Sequence, residues 1–167
     1  MSFCEIPTMN TPTPAQSILG LIAWLGITFL APVVGMDAQP GAWYAGLNKP
    51  AFNPPSWIFG PVWTLLYTLM ALAAWMVWRR GGLAAQRIPL TFYGIQLVLN
   101  AIWSPVFFTL HRLDLAFVII VVLWFFIFHT LRAFWRVHRL SGLFFVPYLA
   151  WVSFAAVLNF TIWRLNP

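Results

Sequence analysis

The stretch Leu143–Trp163 reads LFFVPYLAWVSFAAVLNFTIW and carries no charged side chain. A helix needs about 20 mostly apolar residues to cross roughly 30 Å of hydrocarbon, so this stretch is long enough to span a bilayer. Basic residues flank it, Arg139 before it and Arg164 after it. We therefore interpret it as a transmembrane helix.

Four other stretches meet the same criterion. The predicted spans are residues 17–35, 58–78, 88–110, 115–135 and 143–163. Helical hydrogen bonds within each span satisfy the backbone polar groups that lipid cannot satisfy. The sequence thus predicts an all-α fold, a polytopic membrane protein built as a bundle of five transmembrane helices over residues 17–167. Residues 1–16 are expected to form a flexible N-terminal extension.

The composition excludes most soluble classes of protein. Of the 167 residues, 62% are hydrophobic and only 7% are charged, whereas a soluble domain carries about 25% charged residues. The net charge of +6 comes from basic residues scattered between apolar runs, so we expect no nucleic-acid partner. Cys4 is the only cysteine, which excludes an intrachain disulfide and a thiolate metal site.

The long connection at residues 36–57 combines several prolines with Trp43, Tyr44, Phe52 and Trp57. Prolines disfavour a regular helix or a central strand, and long loops in compact domains tend to be functional. We expect this segment to lie as a lid over one mouth of the bundle.

Arginine and lysine placement predicts the orientation. The side with the N-terminus holds Arg79, Arg80, Arg87, Arg132, Arg136 and Arg139, and the other side holds Lys49, Arg112 and Arg164. Because cytoplasmic loops carry the excess of basic residues, the N-terminus is expected in the cytoplasm. The pattern does not indicate which membrane the protein occupies.

Polar and aromatic residues form a stripe on the third span. Gln96, Asn100, Trp103 and Phe107 are spaced by four, three and four residues, which places them on one helix face. Amides within a span must face protein or a ligand. The spacing alone leaves two alternatives open: hydrogen bonds between helices, or the wall of a pocket for a large, flat, mostly apolar ligand.

Two other spans carry aromatic stripes at helical spacing. They are Tyr148, Trp151, Ala155 and Leu158 or Asn159 in the fifth span, and Trp63, Tyr67 and Met70 in the second. A small residue one turn from a tryptophan leaves space beneath the indole ring. Close helix packing at a small residue explains the pattern equally well.

The sequence offers no arrangement suited to catalysis or metal binding. The acidic residues Glu5, Asp37 and Asp114 are too dispersed to pair as general acid and base. A bis-histidine haem site needs two histidines at matching depth, but His111 and His138 fall in connections, so His129 is interpreted as an interfacial polar contact. We predict no catalytic residue, no metal site and no obligatory cofactor.

Several separate motifs resemble one membrane protein family. They are WYAGLNKP at 43–50, NPPSW at 53–57, GPVWTLLY at 60–67, QLVLNAIWSPVFF at 96–108 and PYLAW at 147–151. In this order they are similar to the TspO/translocator protein family, which includes the tryptophan-rich sensory proteins and the animal peripheral-type benzodiazepine receptor. The resemblance extends from Trp43 to Arg164.

The resemblance implies a five-helix bundle, commonly a homodimer, that binds tetrapyrroles such as protoporphyrin IX and haem in a tryptophan-rich cavity. By position, Trp57 and Asn100 are expected to make polar ligand contacts, and Trp43 to shape the lid. With Tyr67 from the second-span stripe, the predicted ligand-binding residues are Trp43, Trp57, Tyr67, Asn100, Trp103, Phe107, Trp151, Ala155 and Leu158.

Two positions depart from the animal members of that family. Phe160 stands where their cholesterol motif has tyrosine, so sterol binding is not expected. Leu115 stands where they have a tryptophan near the start of the fourth helix, which puts affinity for the synthetic drugs in doubt.

The predicted function is a membrane receptor, sensor or carrier for tetrapyrroles, whose propionates would meet Lys49 or Arg112 at the outer mouth. Three alternatives stay open: a porphyrin-degrading enzyme that depends on light and oxygen, a tetrapyrrole transporter, and an accessory subunit whose tryptophans only pack. For the homodimer, Gly20, Gly94 and the pair Ala31 and Gly35 would allow close helix approach.

Overall fold

The computed structural model describes residues 12–35, 37–38 and 41–167. Within these ranges the chain is helical and contains no strand. The α-helices are α1 (Pro14–Val34), α2 (Ala42–Gly46), α3 (Phe59–Trp78), α4 (Gly82–Ala85), α5 (Arg87–Phe108), α6 (Leu113–Val137), α7 (Arg139–Leu143) and α8 (Val146–Leu165). A 3₁₀ turn, Ser56–Ile58, leads directly into α3.

Five helical stretches in the described residues are long and apolar enough to cross a membrane. They are Pro14–Val34, Ser56–Trp78, Arg87–Phe108, Leu113–Val137 and Arg139–Leu165. Their outward faces expose large apolar side chains, among them Leu19, Leu30, Phe125 and Val157, which water would not tolerate on this scale. The predicted all-α bundle of five transmembrane helices is confirmed, and the chain is an integral membrane protein.

The first helix begins earlier than the sequence pattern predicts. Thr13 and Gln16 form a capping box. The backbone N–H of Gln16 donates to Thr13 Oγ1, and the backbone N–H of Thr13 donates to Gln16 Oε1. Pro14 at the first helical position suits this start because it lacks an amide hydrogen. Residues 14–16 of the predicted extension are therefore helical, and residues 1–11 lie outside the described part of the chain.

The helices pack around α5 and α6. These two lie side by side, α8 packs on α6, and α1 packs on both α3 and α5. α7 carries the chain back against α3, whereas α3 makes little close backbone contact with α8. α3 and α8 are therefore bridged mainly by side chains.

The glycines proposed as dimer spacers have different surroundings. A methyl group at Gly20 would clash with the Trp78 ring, so this glycine permits close packing of α1 on α3 within the chain. A methyl group at Gly94 would meet nothing within 4 Å. Of these two, only Gly94 leaves space for another molecule.

The lid segment contains one short helix, although its prolines predict none. α2 fits between the prolines at 40 and 50 because it is only five residues long. The segment lies over the end of the bundle where α5 and α8 finish. There the Asn48 amide donates to Asn166 Oδ1 (2.9 Å) and Asn166 Nδ2 donates to the Asn48 carbonyl (3.0 Å).

Candidate ligand-binding site

The two amides of the third-span stripe face the interior of the bundle. Gln96 is fully buried and Asn100 is 8% exposed. Gln96 and Asn100 are one helical turn apart and therefore lie on the same face of α5. This face is directed toward α3 and α8. Burial of these groups is tolerable only when they form hydrogen bonds.

A chain of hydrogen bonds, here called the polar floor, joins three helices. Tyr67 Oη of α3 donates to Asn100 Oδ1 (2.6 Å), and Asn100 Nδ2 donates to Tyr148 Oη of α8 (2.9 Å). Tyr148 Oη donates in turn to Gln96 Oε1 (3.1 Å), and Gln96 Nε2 contacts the sulfur of Met70 (3.9 Å). The amides thus link helices, the first alternative that the sequence left open.

No buried side-chain nitrogen or oxygen in the described residues lacks a hydrogen-bond partner. The polar floor is therefore satisfied without a ligand. A carbonyl oxygen has two lone pairs, however, and within the polar floor Asn100 Oδ1 uses only one of them, to accept from Tyr67. This oxygen can accept a further hydrogen bond from a group placed above it.

Aromatic rings fill the space between α3 and α8 above the polar floor. Trp63 stacks on Tyr67 (5.3 Å between ring centroids) and meets Tyr148 edge-on (6.2 Å). Phe59 meets Trp151 edge-on at 5.8 Å. We call these rings, with Phe52 and Phe154, the aromatic seam.

The aromatic seam reaches the lid. Phe52 of the lid meets Phe154 of α8 edge-on, with 6.3 Å between the ring centroids. The ring centroids of Phe154 and Trp151 are 5.7 Å apart. Ala155 packs partly buried against the same core as Trp151. The rings are in contact with one another, so a flat ligand can enter only by displacing some of them.

A second aromatic group lies where α2 packs on the end of the bundle. Trp43 stacks on His111 (3.9 Å) and approaches Phe107 edge-on (6.2 Å). Trp103 lies 5.0 Å from Phe107 and donates through Nε1 to Asn159 Oδ1 (3.2 Å). Leu158 is buried in the same cluster.

The structure thus divides the nine predicted ligand-binding residues. Tyr67 and Asn100 belong to the polar floor, and Trp151 and Ala155 to the seam region. Four belong to the cluster where α2 packs on the bundle: Trp43 of α2 itself, and Trp103, Phe107 and Leu158 below it. Trp57 is the exception, because its side chain is 73% exposed in the 3₁₀ turn that precedes α3. These positions leave ligand binding itself a prediction.

Several contributors to this region were not among the nine predicted ligand-binding residues. Phe59 lies one turn before Trp63, so extending the second-span stripe by four residues would have found it. Tyr148 belongs to the fifth-span stripe and Asn159 was an alternative to Leu158. The stacking of His111 on Trp43 has no signal in the sequence, because the connection that holds His111 takes a positive φ of 54° there.

Two of the cations at the lid end already have partners. Arg112 forms a bidentate pair with Asp114, with nitrogen–oxygen distances of 2.9 and 2.7 Å, and the hydrogen bonds raise the pKa of the Arg112 guanidinium. Lys49 Nζ donates to the carbonyls of Ala45 and Leu47 and lies 4.8 Å from the Tyr44 ring centroid. An anionic ligand group must compete with these contacts.

Comparison with known proteins shows the family to which the chain is similar. The sequence model of the TspO/MBR family matches residues 18–164. The chain is 45% identical over 141 residues to Protein CrtK of Rhodobacter capsulatus, covering 82% of this chain and 86% of that protein. It is 42% identical over 147 residues to the tryptophan-rich sensory protein of Cereibacter sphaeroides, covering 85% and 91%.

The similarity extends to animal proteins. The human translocator protein is 39% identical over 126 residues, which cover 74% of this chain and 75% of that protein. The family match spans the five membrane helices and the lid, and the bacterial and human relatives are similar over most of their own length. This chain belongs to the TspO/MBR family.

Proposed function

We propose that this protein is a membrane receptor or sensor that binds a tetrapyrrole, such as protoporphyrin IX or haem, between α3, α5 and α8 beneath the lid. The names of its relatives, a tryptophan-rich sensory protein and a translocator protein, support a sensory or receptor role. The observation that carries the proposal is the aromatic seam, where rings rather than backbone contacts join α3 to α8.

A seam of this kind suits a flat aromatic ligand. The rings of Trp63 and Trp151 can turn away without breaking any helical hydrogen bond, because the two helix backbones are not closely packed here. Stacking a macrocycle on these rings buries apolar area at about 25 cal/mol per Å². That gain offsets the loss of the ring contacts that the ligand displaces.

The polar floor supplies specificity in this proposal. Asn100 Oδ1 already accepts from Tyr67 and has a second lone pair that a ligand donor could use. A pyrrole N–H of metal-free protoporphyrin IX placed above the floor would donate to it, whereas haem has no pyrrole N–H because iron replaces both hydrogens. Ligands of the same shape that lack such a donor would bind more weakly, because they leave the second lone pair unused.

The propionates of a tetrapyrrole would lie at the lid end, where Lys49 and Arg112 are found. To bind a propionate, Arg112 would give up part of its ion pair with Asp114. Lys49 would likewise give up its hydrogen bonds to backbone carbonyl groups. With the N-terminus in the cytoplasm, as the arginine distribution predicts, the lid end faces outward. We also propose a homodimer, for which the open surface at Gly94 is a candidate contact.

The test is a titration of the detergent-purified protein with protoporphyrin IX, followed by quenching of tryptophan fluorescence. We expect saturable binding that weakens at least about tenfold in Trp151→Ala, since one stacked ring contributes about 1 kcal/mol beyond its buried area. Trp135→Ala is the matched control, because Trp135 is exposed at the opposite end of the bundle. Equal affinity of both variants and the parent protein would contradict the proposed site.

A further inference from the structure

A concave groove lies on the outer surface between α5 and α6, at the end of the bundle opposite the lid. Its volume is about 460 Å³. Its floor is apolar, formed by Ile88 and Phe92 of α5 and by Phe128 of α6. His129, Arg132 and Arg136 of α6 line its rim, and we call it the basic groove.

The three rim residues lie on one face of α6, because they are spaced by three and four positions. All three are exposed. The Arg132 guanidinium lies 5.7 Å from the centroid of the Phe128 ring, at the border between the rim and the floor. His129 Nδ1 donates to the carbonyl of Phe125, since a carbonyl can only accept, and this leaves Nε2 for an external partner.

No carboxylate in the described residues lies near these cations. The acidic residues there are Asp37, which follows α1, and Asp114, which begins α6. Both are at the lid end, and the ion pair of the described residues, Arg112 with Asp114, lies there too. Within this part of the protein, Arg132 and Arg136 thus form a positive pair without a neutralising partner.

The depth of the basic groove favours a membrane component. α6 runs from Leu113 to Val137, so Arg132 lies five residues before its end, about 7.5 Å along the axis at 1.5 Å per residue. This is where hydrocarbon gives way to headgroups. The groove is open on the outer surface of the bundle, and the apolar Phe128 lies one helical turn deeper than Arg132.

A simpler explanation accounts for only part of this arrangement. Arg136 is in the last turn of α6, where a cation is favourable beside the helix dipole. Arginines near helix ends also extend toward the interface. Neither effect requires a cavity with a floor from two helices or a second cation one turn deeper.

We propose that the basic groove binds the headgroup of an anionic phospholipid. Its phosphate lies between Arg132 and Arg136, and an acyl chain follows the apolar floor formed by Ile88, Phe92 and Phe128. This site is separate from the proposed tetrapyrrole site, which lies toward the lid, and does not depend on it.

Native mass spectrometry of the full chain in detergent tests the proposal, with phosphatidylglycerol and phosphatidylcholine of identical acyl chains as probes. We expect phosphatidylglycerol to be retained in preference to phosphatidylcholine. The double variant R132Q/R136Q should retain phosphatidylglycerol about tenfold more weakly, because each cation near the surface contributes to anionic-lipid binding. The matched control R80Q/R139Q removes two exposed arginines from the same end outside the groove and should retain it as the parent does.

A second variant guards against misfolding of the charge variant. Ala133→Phe fills the groove that Ala133 lines without changing any charge, and it should also lower phosphatidylglycerol retention. Equal retention of the two lipids would overturn the proposal, as would equal losses in R132Q/R136Q and R80Q/R139Q. Displacement of the lipid by millimolar inorganic phosphate would show a site for free phosphate and would overturn it as well.

Discussion

Asn100 has the most demanding surroundings of the residues in the candidate site. It is buried in a membrane helix and accepts from Tyr67 while donating to Tyr148. An apolar substitute would leave the Tyr67 hydroxyl buried without the partner it has here. Its removal therefore costs more than one average hydrogen bond between membrane helices, which is about 0.6 kcal/mol.

Asn100→Leu is expected to lower the free energy of unfolding by about 1–3 kcal/mol, because it removes two hydrogen bonds and leaves a hydroxyl unsatisfied. Thermal unfolding in detergent, followed by circular dichroism, measures the change. Thr64→Val is the control, since exposed Thr64 bonds only to the carbonyl of Gly60 in its own helix. A variant of Asn100 as stable as the control would show that the polar floor does not hold the helices together.

At the scale of elements, a few hydrogen bonds and aromatic contacts hold the lid against the bundle. Its C-terminal half is fixed by the reciprocal hydrogen bonds between Asn48 and Asn166. Its N-terminal half is held by aromatic contacts of Trp43 and Tyr44 with Phe107. Burial also raises the pKa of the Tyr44 phenol, although its hydrogen bond to Asn53 opposes this shift.

Asn166→Ala is expected to loosen the lid without unfolding the bundle, because it removes the bonds to Asn48 and leaves the helical ladder of α8 in place. Hydrogen exchange of the backbone amides in residues 42–50 should become faster. Arg164→Gln provides the comparison, as Arg164 is exposed nearby and makes no hydrogen bond to the described residues of the lid. Unchanged exchange in Asn166→Ala would mean that the hydrogen bonds between Asn48 and the Asn166 side chain do not hold the lid in place.

At the scale of the whole molecule, two helix glycines, Gly20 and Gly94, differ in what surrounds them. Gly20 is pressed against Trp78, which brings α1 onto α3. Gly94 of α5 opens to the outside beside a shallow concavity of about 370 Å³ between α1 and α5. The two glycines should therefore respond differently to the same substitution.

Gly94→Leu is expected to shift the protein from dimer to monomer while leaving its thermal stability within about 0.5 kcal/mol, as for most surface changes. Gly20→Leu should instead destabilise the fold by about 1–3 kcal/mol, because the added side chain overpacks against Trp78. Size-exclusion chromatography with light scattering and thermal unfolding distinguish the two effects. A parent protein that is already monomeric would contradict the proposed homodimer.

The sequence predicted the spans well because hydropathy is a local property. Each membrane helix can be recognised from its own run of apolar residues. The helix boundaries in the structure differ from the predicted ones by only a few residues. The start of α1 was placed too late because a capping box of Thr13 and Gln16 extends the helix beyond its apolar stretch. The sequence identified Trp57 as a candidate but did not predict which way its side chain points. A three-residue 3₁₀ turn is too short for residue spacing to distinguish its buried side from its exposed side.

The helical spacing of Gln96 and Asn100 was enough to predict that both face protein or a ligand, because an amide in a span is costly when it faces lipid. It was not enough to identify their partners, Tyr67 and Tyr148, which come from helices far apart in the chain. The resemblance to a family named the ligand class that the residues alone did not.

What the amino-acid sequence determined by itself is therefore the set of five membrane helices, the lid and the faces that carry amides and aromatic rings. Length, hydropathy and period act within single helices, so each can be read along the chain. Only the tertiary structure decided that α3 and α8 meet through rings, that Gly20 is enclosed while Gly94 is open, and that Arg132 and Arg136 border a groove. These features depend on which helices pack together and at what distance, and that is settled by contacts between residues remote in the sequence.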